Sequence, residues 1–233
     1  MPALRAIVFD LDDTLYPEQA YVFSGFHAVA AWAETHLGIL AKQGFPKLCQ
    51  LFAEGVRGNT FNRWLESREI KPGDWVPQMV QVYREHKPQI VPYPEVPGLL
   101  QKLHQRYRLG LLSDGYAEVQ KRKLVALELT SYFDAVVFSD EWGRESWKPK
   151  PRPFESVLQR LGVTGPQAAY VADNPAKDFL GARQVGMWTV RVRRQDGLYS
   201  RLESPSPEYA PDLEIKTLNE LETALICIER RRK

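Results

Sequence analysis

Apolar residues along the chain follow two periods. Ala6 to Phe9 is a short continuous apolar run, the pattern of a strand buried on both faces of a parallel sheet. From Val22 the pattern turns helical: Phe26, Val29, Ala33, Leu37 and Leu40 recur at three- and four-residue spacing and mark one face of an amphipathic helix. Leu48–Glu54, Phe61–Ser67 and Trp75–Glu85 read as further helices, with breaks at Gly44, Gly58 and Pro72-Gly73. The proline-rich run KPQIVPYPEVPG, residues 87–98, reads as a boundary. Beyond it the two periods alternate. Strands are predicted at Leu109–Leu112, Ala135–Phe138, Ala168–Ala172 and Thr189–Val192, and helices at Glu118–Leu127, Phe154–Leu161, Asp178–Val185 and Leu218–Ile228.

Such alternation predicts an α/β fold, a mostly parallel sheet with helices on both faces, in which the helical block is an insertion after the first strand. The expected organisation is a core of residues 1–16 and 93–233 and a helical unit of residues 17–92. Residues 194–212 lack a clear period and are expected to form an ordered surface excursion without chemistry. With 233 residues, 44% apolar and 26% charged, the chain has an ordinary globular composition. Its net charge of +2 argues against nucleic acid or an anionic membrane as an obligate partner. The terminal ERRRK suits a helix dipole and solvent better than a nucleic-acid patch. Cys49 and Cys227 stand too far apart in sequence to suggest a disulfide framework or a zinc site. No apolar run has transmembrane length, and the N-terminal one lacks a small-residue cleavage site, so a reduced, cytoplasmic, soluble protein is expected.

Polar groups stand where the predicted strands end, the place where open parallel sheets bind ligands. In DLDDT, Asp10 and Asp12 leave the same side if the backbone stays extended, and two close like charges call for a cation or a shared proton. Asp13 reads as a turn residue or a helix cap. In LGLLSDG, the Ser113 hydroxyl and the N–H groups of Asp114 and Gly115 suit an anion at a helix N-terminus. SWKPKPRPF brings Lys148, and AAYVADNPAKD brings Asp173 and Asp178. Each alone has a plainer role: Ser113 as a cap, Lys148 as a solvated cation, Asp173-Asn174-Pro175 as a turn. Their occurrence in order, each after a strand, outweighs those roles.

In FDLDDTLY, LLSDGYAEVQKRKL, KPKPRPFESVL and VADNPAKDFLGARQVGM the chain resembles the haloacid dehalogenase-like (HAD) hydrolase superfamily, in the branch with a helical cap between the first and second motifs. The resemblance implies a Rossmann-like core, a cap domain over 17–92, and Mg²⁺-dependent hydrolysis of a small phosphomonoester through an aspartyl-phosphate. It makes Asp10 the nucleophile and Asp12 the general acid and then base, the acid role needing a raised pKa. Lys148 is implied to neutralise both the nucleophile and the phosphoryl oxygens, with Lys150 as the fallback. Ser113 and the Asp114 N–H are implied to hold those oxygens, and Thr14 to fix the loop beside them. The implied Mg²⁺ ligands are the Asp10 carboxylate, the Asp12 backbone carbonyl and the Asp173 carboxylate, with Asp178 holding a metal-bound water or a neighbouring side chain. The chain departs from the family pattern in having Ala172 where glycine is common, and Asp114, whose side chain should then point away from the phosphate. A phosphomutase of the β-phosphoglucomutase type shares all four motifs. A catalytically silent protein on this fold would have lost Asp10 or Lys148, and the named dehalogenases lack the second acid. Tyr16 and the polar run with Arg57, Asn59, Asn62 and Arg63 are candidates for the substrate's distal groups.

Overall fold

The apolar run Ala6–Phe9 forms strand β1, wholly buried because it stands inside a six-stranded sheet. The structure is a computed structural model describing residues 3–231; Arg232 and Lys233 of the cationic tail lie outside it. Strands β2 (Arg108–Ser113), β3 (Ala135–Phe138), β4 (Ala168–Ala172), β5 (Trp188–Val192) and β6 (Leu213–Ile215) join β1 in the order β3-β2-β1-β4-β5-β6, every pair parallel. The chain runs outward from β1 through β2 to β3, then returns to β4 on the opposite flank. Strand order therefore reverses between β1 and β4, and a crevice opens at their carboxyl ends.

The chain divides into two compact units, one of residues up to Glu18 with those from Val91 onward, the other Gln19–Ile90. In the second unit lie most of helix α1 (Glu18–Leu37) and all of α2 (Ala41–Ala53), α3 (Thr60–Glu66) and α4 (Trp75–Glu85). They close on their own core of Phe26, Val29, Leu48, Phe52, Trp64 and Met79. The expected break at Gly44 is absent, because α2 starts at Ala41 and runs through it. Glycine serves packing there: a Cβ would stand 2.7 Å from the Trp64 ring.

In the first unit, helices α7 (Arg152–Leu161) and α8 (Phe179–Gln184) cover one face of the sheet. Phe154, Val157 and Leu161 pack there with Ala6 and Val8 of β1. Ile7 and Phe9 point the other way, as strand alternation requires, and are equally buried. Helix α5 (Val96–His104) packs on β2 with Val96, Leu100 and Leu103 buried. Helix α6 (Ala117–Ala126) follows β2, and α9 (Leu221–Arg230) packs near β6.

Two elements escaped the sequence pattern. Helix α5 begins inside what reads as a proline-rich boundary; Pro97 lies in its first turn, where the missing N–H costs nothing. Strand β6 has three residues at a sheet edge, too short to display a period. Residues 194–212 are ordered by arginines from below. Arg191, buried on β5, donates to the carbonyls of Asp173, Tyr199 and Leu202, and Arg193 donates to that of Ser200.

Gly181 shows how closely α8 approaches the segment after Lys148. A Cβ there would stand 2.5 Å from the Pro149 carbonyl oxygen and 2.6 Å from the Phe154 ring. Gly181→Ala should cost about 1–3 kcal/mol by overpacking. Urea unfolding checks this, and an unchanged midpoint would show that the two segments part without strain.

Candidate active site

The carboxyl end of β1 delivers Asp10, whose backbone N–H bonds to the Val171 carbonyl at 2.9 Å and so ties it to β4. The chain then turns: Asp13 takes a positive φ of 52°, a conformation that aspartate tolerates better than most side chains. The extended path that would send Asp10 and Asp12 to one side does not continue. Each carboxylate finds its own cation.

The Lys148 ammonium donates to Asp10 Oδ1 at 2.7 Å, Asp178 Oδ1 at 2.7 Å and the Tyr170 hydroxyl at 2.9 Å. Its side chain is 0% exposed. An ammonium has three N–H groups, and all three are used, leaving none for a phosphoryl oxygen. Burial would lower the Lys148 pKa, but Asp10, Asp178 and Asp114 outweigh it and hold it well above the usual lysine value. Lys150 is exposed and takes no part.

Asp10, Asp173 and Asp178 each place one carboxylate oxygen within 4.8 Å of the others, and all three are buried. Burial pushes Asp10 up to about 6, with Lys148 opposing and Asp178 assisting. Asp173 is held well above the carboxylate range by burial, then by Asp178 and Asp10. Its Oδ2 is buried with no hydrogen-bond partner. Asp178 Oδ2 accepts the Asn174 N–H at 2.9 Å. Three buried carboxylates beside one ammonium leave uncompensated negative charge, and oxygen-only donors suit a hard divalent cation.

Asp12 sits apart from that cluster. Lys123 donates to its Oδ1 at 2.7 Å, Gln120 to its Oδ2 at 2.8 Å, and the Tyr16 hydroxyl also to Oδ1. Burial favours the neutral acid, yet Lys123 and these donors hold the Asp12 pKa below the usual value. The acid role of Asp12 calls for a raised pKa, and these donors act in the opposite direction. Tyr16 does not line a cleft; it is fully buried.

Ser113, the last residue of β2, is buried and accepts from Gln120 at 2.6 Å. Asp114 turns its carboxylate inward, where Oδ1 accepts from Ser139 Oγ at 2.6 Å and from the Lys148 N–H at 3.1 Å. Burial opposes its ionisation, but Lys148, Lys177 and Ser139 hold its pKa low. Lys177, with its side chain 33% exposed, lies 3.5 Å from Asp114 Oδ2 and is the more accessible cation. Thr14 Oγ1 is buried with no hydrogen-bond partner, so its hydroxyl does not brace the loop. Asp13 does: it accepts the N–H of Glu18 at 2.8 Å and of Leu198 at 2.9 Å, capping α1 and anchoring the 194–212 segment. Arg57 is engaged within its own unit, on the carbonyls of Phe52 and Val56.

The sequence reasoning missed Gln120, Lys123, Ser139, Tyr170 and Lys177. Gln120 and Lys123 did leave a signal, since three-residue spacing puts them on one face of the helix after Ser113. Ser139 and Tyr170 left none.

The chain belongs to the haloacid dehalogenase-like hydrolase family, whose pattern matches residues 7–192. A glyceraldehyde 3-phosphate phosphatase of Methanopyrus kandleri is 34% identical over 227 residues, 94% of this chain and 95% of its own. A phosphoserine phosphatase of Thermus thermophilus is 38% identical over 130 residues, 55% of this chain and 49% of its own. Among solved structures, the HAD-hydrolase YfnB from Bacillus subtilis, bound to magnesium, superposes with a TM-score of 0.69 at 20% identity, covering 96% of this chain and 99% of that one. At that identity the likeness is one of fold.

Removing the Lys148 charge would leave Asp10 and Asp178 buried without the cation that bonds them both. In chelator at pH 7.5, Lys148→Met should cost about 3–5 kcal/mol of stability. The loss should shrink at pH 5. Asp10, already raised to about 6, would rise further, so the folded variant would bind more protons than the unfolded chain and lose stability as pH rises. Urea titrations at both pH values check the sign, and an equal loss at each would mean that Asp10 does not titrate in this range.

Proposed function

We propose that this chain is a Mg²⁺-dependent phosphatase that hydrolyses a small phosphorylated metabolite through an aspartyl-phosphate on Asp10. The observation that carries the reading is the Asp10 carboxylate, charge-paired with Lys148 and grouped with Asp173, whose Oδ2 has no hydrogen-bond donor. The relatives' named activities, on glyceraldehyde 3-phosphate and phosphoserine, support a small phosphomonoester as the substrate class.

Asp10, Asp173 and the Asp12 backbone carbonyl would hold the ion, with Asp178 beside them. Bound there, Mg²⁺ would supply the positive charge that lets one anion approach another. Asp10 attacks phosphorus and the bond to the substrate's alcohol oxygen breaks, splitting one hard displacement into two easier ones. Asp12 must take up a proton before this step, and gives it to that oxygen as the bond breaks. In the second half it takes a proton from water, whose oxygen attacks phosphorus and frees Asp10. The ionised Asp12 found here is the form this second half requires. Ser113 and the N–H groups of Asp114 and Gly115 would hold the phosphoryl oxygens. Lys148, with its donors already taken, would keep Asp10 ionised and aimed. Lys177 is better exposed to meet the phosphoryl charge.

The self-contained helical unit Gln19–Ile90 is proposed as the cap that selects the substrate. We place the enzyme in the cytoplasm. Cys49 and Cys227 are free thiols, and no helix among the described residues is long and apolar enough to cross a membrane.

Purified protein should hydrolyse p-nitrophenyl phosphate with added Mg²⁺ and lose that activity in excess chelator, and Asp10→Asn should be inactive. Asp173→Asn should lose the Mg²⁺-induced rise in Tm, a stabilisation of about 2.7 kcal/mol when the ion stands at ~100 times its Kd. Full turnover after chelation, or in Asp10→Asn, would overturn the reading.

A further inference from the structure

Helix α6 buries two side chains that a helix ordinarily keeps in water. Gln120 is 2% exposed and Lys123 5%, while Lys121, on the same helix, is exposed. Burying an ammonium or an amide is unfavourable unless its donors are used, so apolar residues would fill both positions at lower cost. These donors meet at the site. Lys123 Nζ reaches Asp12 Oδ1 at 2.7 Å, and Gln120 Nε2 reaches Asp12 Oδ2 at 2.8 Å and Ser113 Oγ at 2.6 Å.

The Gln120 amide nitrogen, which only donates, is the atom placed beside both Asp12 Oδ2 and Ser113 Oγ. Its two hydrogens are then both engaged, one on Asp12 and one on Ser113. Ser113 Oγ is an acceptor in that bond, and its own hydrogen is left to donate elsewhere. Gly115 belongs to the same device. It has φ of +114°, and a Cβ there would stand 3.3 Å from Gln120 Cδ.

We propose that Gln120 and Lys123 are positioning residues for the hydrolytic half-reaction: together they hold the Asp12 carboxylate oriented toward the attacking water, and Gln120 turns the Ser113 hydroxyl hydrogen toward the phosphoryl oxygens. The inference rests on the phosphatase reading above. In that half-reaction the water oxygen bonds to phosphorus, its proton passes to Asp12, and the bond from phosphorus to Asp10 breaks with its electron pair returning to the carboxylate. Formation of the aspartyl-phosphate from p-nitrophenyl phosphate needs no proton donor, because nitrophenolate is a good leaving group. The two halves therefore separate experimentally.

With p-nitrophenyl phosphate and Mg²⁺, Lys123→Met should release a burst of nitrophenol equal to the enzyme present. Steady turnover should then be slower by on the order of 100-fold, the lower end for a lost general base. Its kcat/KM should stay within a few-fold of the parent, acid quenching should trap an acyl-phosphate on Asp10, and Lys123→Arg should restore most of the steady rate. Gln120→Met should show the same burst and also raise the inhibition constant of inorganic phosphate by on the order of tenfold, as the Ser113 donor loses its aim. Should Lys123→Met fail to fold, Gln120→Met carries the burst test alone. Wild-type turnover in the variants, or equal losses in burst and steady rate, overturns the inference while the phosphatase reading stands. Absence of any hydrolysis by the unmodified protein overturns both.

Discussion

A single buried ammonium organises this site. Lys148 is drawn out of water at a cost of several kcal/mol (about that for an ion of its size), and the carboxylates of Asp10 and Asp178 with the Tyr170 hydroxyl offset it. Those partners come from the end of β1, the start of α8 and the middle of β4, while the Lys148 backbone N–H is held by Asp114 beyond β2. One cation thus registers four separate chain segments. Without it Asp10 and Asp178 would lose the one cation that bonds them both.

Around that pair the carboxylates divide into two sets of opposite character. Asp10 and Asp173 are pushed toward the neutral form by burial and then by the Asp178 carboxylate. Asp12 and Asp114 are held ionised by lysines and other donors. The first set has surplus charge and an unpartnered oxygen, the condition of a cation site. The second set is complete within the protein. The site therefore holds one group whose charge and oxygen donors suit a cation and another whose partners lie within the protein.

Much of this was legible in the sequence, and the misses have physical causes. Strands β1, β2 and β4 announce themselves as near-continuous apolar runs because both their faces are covered. Asp10 and Asp173 directly follow strands and Ser113 ends one, so polar residues interrupt those runs, whereas Lys148 stands well beyond β3 and was marked by its Lys-Pro pair instead. Helix α5 stayed hidden because Pro97 in a first turn looks the same in sequence as a proline that ends a helix. The ionised state of Asp12 was not legible at all. It depends on Lys123, 111 residues away along the chain, and only the fold reveals that distance to be a hydrogen bond.

The Tyr93 N–H bonds to the Leu15 carbonyl at 3.0 Å, so the chain leaves and re-enters the first unit at neighbouring points. β1 must wait for partners that begin at Arg108 and Ala168. Joining segments so far apart in sequence is entropically costly and slows folding, since the loop must close before any strand contact rewards it. Gln19–Ile90 has its own core and can collapse without the sheet. Once it has done so, much of the intervening chain is no longer free coil, and β1 meets β2 across a far shorter effective loop. On the ribosome the helical segment emerges before any of β1's partners, so an early collapse of that segment would shorten the loop that β1 must close.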